Sequence, residues 1–139
     1  MTKKETKIPA KIEYIDELSQ MIERALEPYH LSEKLSNHFM ISAEEIFTNI
    51  ASYGYKETDG QVEIRYHVEK IGDERIIYIQ FIDQGIPYNP LEHPKPDFQV
   101  PFENRRVGGL GIHMVRELMD VVQYCYKDNS NILTIGKKI

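Results

Sequence analysis

The run Arg75–Asp83, RIIYIQFID, constrains this chain more than any other stretch. It is β-branched, aromatic and almost continuously apolar, which suits a strand covered on both faces or by a layer of helices. Just upstream, Val62, Ile64, Tyr66 and Val68 alternate with Glu63, Arg65, His67 and Glu69. A period of two marks a second strand. Gly72 and Asp73 lie between the two runs and read as a hairpin turn.

Helical periodicity supplies the cover. Ile12, Ile15, Leu18, Met21, Ile22, Ala25 and Leu26 recur at three- and four-residue spacing, and Pro28 ends that helix. A second helix runs from about Ser32, a good N-cap, to Tyr53, with Leu35, Phe39, Ala43, Ile46, Phe47 and Ile50 as its stripe. Gly54 and the loop 56–60 stop it. A third helix opens at Gly108-Gly109-Leu110-Gly111 and runs to Asp120. Residues 121–126 and 132–139 read as closing strands around the turn Asp128-Asn129-Ser130. The polar first ten residues read as a frayed end or a short strand, with Pro9 favouring a sheet edge. Helices and strands in separate runs predict an α+β two-layer sandwich, with helices on one face of a mixed, mostly antiparallel sheet.

The length, 139 residues, is that of a single domain over 1–139, and 41% apolar content allows a core of its own. Cys125 is the single cysteine, so no internal disulfide forms; in its apolar strand it reads as a buried, inert thiol. The net charge of −5 argues against electrostatic nucleic-acid binding, and the scattered tyrosines form no stacking platform. No stretch approaches ~18 consecutive apolar residues, and no apolar block follows the N-terminal lysines. The expectation is a cytoplasmic protein without a membrane segment. The five histidines show no metal-ligand spacing.

Three features carry chemistry. Glu45 and Asn49 sit at i and i+4 on the second helix, flanked by Ser42 and Ser52, with the apolar stripe facing elsewhere and Glu44 turned out to solvent. A carboxylate and a carboxamide on one helix face can hold a hydrated Mg²⁺, or simply be a solvated pair. Asp83-Gln84-Gly85 ends the apolar strand. A carboxylate buried there needs donors, and an adenine amino group is one; a plain strand-capping turn is the alternative. Gly108, Gly109 and Gly111 at a helix start suit phosphate, with Arg105 and Arg106 just upstream, or else form a hinge. Between the last two features, residues 84–107 hold five of the seven prolines and show no periodicity. Loops of that length in small domains are often functional lids.

In this order the features resemble the gyrase, chaperone and histidine-kinase ATPase superfamily, the Bergerat ATP-binding fold. Residues 44–50 (EEIFTNI) resemble its N box, 83–90 (DQGIPYNP) its first glycine box, and 108–115 (GGLGIHMV) its second. The phrases EEIFTNIASYGY, FIDQGIPYNP and GGLGIHMVRELMD are most similar to small anti-sigma-factor serine/threonine kinases of bacterial partner-switching systems. The resemblance implies ATP and Mg²⁺ as ligands. It implies Glu45 as catalytic base, Asn49 as the Mg²⁺ ligand, Asp83 as acceptor of the adenine amino group and Gly85 as part of the base pocket. Gly108, Gly109 and Gly111 would clasp phosphate, residues 88–107 would form a lid, and Arg105 or Arg106 would assist the γ-phosphate. It further implies a small antagonist protein as phospho-acceptor, a sigma factor or similar regulator as partner, and a homodimer. A non-catalytic ATP/ADP-dependent binding switch is the second reading of the same residues.

Overall fold

The computed structural model describes residues 4–55, 59–92 and 109–139. In chain order these form β1 (Lys4–Pro9), α1 (Ile15–Leu26), α2 (Glu33–Asn49), β2 (Gln61–Ile71), β3 (Glu74–Asp83), α3 (Gly109–Leu118), β4 (Val121–Lys127) and β5 (Ser130–Lys138). Short 3₁₀ turns precede and follow α1, and Pro28 sits in the second of them. Ser32 caps α2, its hydroxyl accepting the Leu35 N–H at 3.2 Å. A single π-helical turn, Ile50–Gly54, continues α2 to the glycine that stops it.

The sheet order is β1-β2-β3-β5-β4, and every ladder is antiparallel. The hairpin turn at Gly72-Asp73 is as expected, with Gly72 at a φ of +62° that favours glycine. β1 lies on one edge, as Pro9 suggested.

All three helices cover one face. Leu18 and Ile22 of α1, Phe39, Ala43 and Phe47 of α2 and Ile112 and Val115 of α3 are buried there. They meet Val62, Ile64, Ile77, Ile79, Phe81, Leu133 and Ile135 from the sheet in one core. Each large side chain so buried contributes about 1.5–3 kcal/mol. The other face carries the alternate residues: Arg65 paired with Glu63 at 2.9 Å, His67 stacked on Tyr78, and Gln80 bonded to Thr134. Ile76 and Ile82 are buried on that face too, so the near-continuous apolar run of β3 reflects its central place in the sheet. Cys125 also points to this face and is exposed, contrary to the buried thiol expected. Among the described residues β4 pairs with β5 alone and lies at the sheet edge.

Candidate nucleotide site

α2, its π-helical extension and the C-terminal end of β3 converge on one cleft. Its walls are apolar, from Ile46, Ile50, Ile86, Pro90 and Leu133, with Tyr88 and Tyr124 at the sides. Its polar groups are Asn49, Asp83 and Asn131. A concave apolar site with a few convergent polar groups is the usual form of a small-molecule pocket. Asn49 and Asp83, 34 residues apart in sequence, are thus brought to the same cavity. The face bearing Asn49 is not separate from the apolar stripe: Ile46 and Ile50 flank it in the cleft, Ser42 is fully buried, and Ser52 is exposed.

Asp83 is 4% exposed. Its Oδ1 accepts the Gly85 N–H at 2.9 Å and an Asn131 Nδ2 hydrogen at 3.0 Å. Burial pushes its carboxyl above the usual range, and these two donors oppose the shift. Oδ2 takes no hydrogen bond among the described residues.

Gly85 lies against Gly54. A Cβ on Gly85 would come within 2.1 Å of the Gly54 carbonyl oxygen, and the Ile86 N–H donates to that same oxygen at 3.0 Å. The missing side chain here serves the backbone approach between the end of α2 and the loop after β3. Tyr55 adds a second tie: its hydroxyl donates to the Gln61 carbonyl and accepts the Gln84 N–H at 2.7 Å.

Glu45 stands one helical turn before Asn49 and faces α3. A Cβ on Gly111 would lie 1.7 Å from Glu45 Oε1, so the carboxylate occupies the space that a side chain there would fill. Burial raises its pKa above the ordinary carboxylate value. Glu44 is half-buried, not turned to solvent as expected; it accepts the Ser19 hydroxyl at 3.0 Å and so ties α2 to α1. Gly109 begins α3. Arg105, Arg106, Gly108 and most of the loop 88–107 lie outside the described residues.

Several site residues escaped the sequence reading. Asn131 fell between the expected turn 128–130 and strand 132–139, and only the pairing Asp83↔Asn131 between β3 and β5 reveals it. Gly54 read as a helix stop, Tyr88 was given no role of its own within the stretch 83–90, and Tyr124 carried no signal. Arg116 of α3 donates to the Leu91 carbonyl at 2.6 Å and holds the 3₁₀ turn Pro90–Glu92.

Among the described residues no three His, Cys, Asp or Glu side chains group to hold a metal ion. Asn49 would offer its amide oxygen to a cation in the cleft, with phosphate and water as further donors. That donor set fits Mg²⁺, which keeps several waters and binds through substrate phosphates. Among the described residues no helix is long and apolar enough to cross a membrane.

The fold is thus an α+β sandwich that brings a helix asparagine and a strand-ending aspartate to one cleft. The chain matches the histidine kinase-like ATPase domain over residues 8–137 and belongs to that family. It is 29% identical to the serine-protein kinase RsbW of Listeria innocua serovar 6a, across 91% of this chain and 81% of that protein. The serine-protein kinase RsbW of Listeria monocytogenes serovar 1/2a is likewise 29% identical, with the same shares covered.

Proposed function

We propose that this protein is an ATP- and Mg²⁺-dependent serine/threonine protein kinase of the anti-sigma-factor type. It transfers the γ-phosphate of ATP to a Ser or Thr of a small antagonist protein and sequesters a sigma factor or similar regulator in the cytoplasm. The observation that carries this reading is the convergence of Asn49 and Asp83 on one apolar cleft, with Glu45 one turn away against the start of α3.

In this reading Asp83 accepts the adenine amino group through Oδ2. Guanine would present its 6-oxo group there, acceptor against acceptor. Asn49 offers its side-chain oxygen to Mg²⁺ without adding charge against the triphosphate. When bound, Mg²⁺ neutralises phosphate charge. Glu45 takes the proton of the acceptor hydroxyl. Gly109, Gly111 and the glycine and arginines upstream receive the phosphates. The relatives' name, serine-protein kinase, supports the same assignment.

Two measurements test it. Calorimetry with Mg–ATP and Mg–GTP should show a clear preference for ATP; equal affinity would remove the role given to Asp83. Labelled γ-phosphate should appear on a small antagonist protein incubated with the chain. Nucleotide binding without any transfer would leave a nucleotide-dependent binding switch.

A further inference from the structure

We propose that Asn131 is the positioning residue that holds Asp83 in one orientation, with Oδ2 left for the base, and so sets the preference for adenine. This rests on the nucleotide reading above and adds to it a residue that touches no nucleotide itself.

The amide of Asn131 is fully used. Its Nδ2 donates to Asp83 Oδ1 at 3.0 Å and to the Ile86 carbonyl at 2.9 Å. Its Oδ1 accepts the Tyr88 N–H at 3.1 Å and the Tyr124 hydroxyl. The orientation of the amide is forced. A backbone N–H can only donate, so the atom facing Tyr88 is the oxygen; the atom facing a carboxylate and a carbonyl is then the nitrogen. Two donors and two acceptors are all engaged, and the side chain is 6% exposed. Nothing remains with which to bond a base.

What the amide does is orient its neighbours. One side chain on β5 ties the end of β3, the loop at Ile86 and Tyr88, and β4. Without it, Asp83 keeps one donor, the Gly85 N–H two residues away. The carboxyl can then rotate, and burial favours its protonated form more strongly. A protonated carboxyl donates its O–H to an acceptor, so it receives the 6-oxo group of guanine. Selectivity falls because the wrong base gains a partner.

Among the described residues the titratable groups that face Asp83 are Tyr55, beyond the end of α2, and Tyr124 on β4. Burial raises both, so they stay neutral from pH 6 to 8. Glu45 and the phosphates titrate near the triphosphate, which ATP and GTP share, and their effects cancel in the ratio of affinities.

The test titrates Mg–ATP and Mg–GTP into the parent and the Asn131→Leu variant at pH 6, 7 and 8. The expected result is a fall in the ATP:GTP affinity ratio of about 10- to 100-fold, the worth of one hydrogen bond to a charged group, and a larger fall at pH 6 than at pH 8. Equal weakening of both nucleotides at every pH would make Asn131 merely structural and overturn the proposal. If the variant does not fold, NMR of the parent decides. The Asn131 side-chain N–H protons should be protected from solvent exchange with and without ATP and show no magnetisation transfer from the base; rapid exchange or a direct nucleotide contact would overturn the proposal. A parent that binds ATP and GTP equally overturns the nucleotide reading itself, and this inference with it.

Discussion

Glu45 and Asn49 are four residues apart, and their side chains have separate surroundings. Asn49 opens into the cleft, whereas Glu45 rests against Gly111. Glu45→Gln should therefore keep Mg–ATP binding and lose about 10²–10⁴-fold in phosphoryl transfer, the usual worth of a general base. Asn49→Ala should lose both, because it removes the cation's protein ligand. A Mg–ATP titration beside a transfer assay separates the two; parent-rate transfer by Glu45→Gln would place the base elsewhere. Asp83 makes a different prediction, about pH. Its folded pKa is raised, so the native state holds the proton more tightly than the unfolded chain. Burying the charge then costs nothing below the ordinary carboxylate range, and the cost grows as pH rises, until it is complete above the raised value. Asp83→Asn should raise the unfolding temperature at pH 7, with the gain vanishing toward pH 3, while ATP binding is lost. A pH series of thermal melts checks the sign. The carboxylate was visible in the sequence at the end of its strand. Its donor Asn131 was not, because 48 residues and a strand pairing separate them.

Between elements, two glycines look alike in sequence and act differently. At Gly85 the obstacle is the backbone of Gly54, which cannot yield without moving the end of α2. Gly85→Ala should cost about 1–3 kcal/mol of stability, as overpacking does, and damage nucleotide binding with it. At Gly111 the obstacle is the end of a flexible Glu45 side chain. Gly111→Ala should cost little stability, since alanine suits a helix, yet displace the base and slow transfer at least tenfold. Urea unfolding of both variants, with a transfer assay on the second, tests the contrast; equal destabilisation would refute it. The elements themselves were legible. The periods of α1, α2, β2 and β3 are strong, and Ser32, Pro28, Gly54 and Gly72 punctuate them as expected. The π-helical turn at Ile50–Gly54 was not, because nothing local distinguishes it from one more turn of α2.

For the molecule as a whole, the sheet edges govern association. The helices cover one face of the sheet, and among the described residues β1 pairs with β2 alone, which leaves its outer backbone edge of six residues unpaired. Exposed edges invite pairing with another strand. With the resemblance drawn from the sequence, this supports a homodimer. Sedimentation at micromolar concentration should give twice the 16.3 kDa chain mass, and a clean monomer would refute it.

The division between sequence and structure follows the range of the forces. Periodicity, caps and turn residues act within a few positions, so the chain alone determined its main helices and strands and their class, and its three short motifs carried the family resemblance. Pairing of distant strands is settled only when the core closes. It was the antiparallel register of β3 on β5 that set Asn131 beside Asp83, and the packing of α3 on α2 that set Gly111 beneath Glu45. The same closure left Cys125 exposed on an edge strand and turned Glu44 inward to Ser19. For Asn131, Gly111 and Glu44 the deciding neighbour is remote in sequence, and only burial of the shared apolar face brings it near.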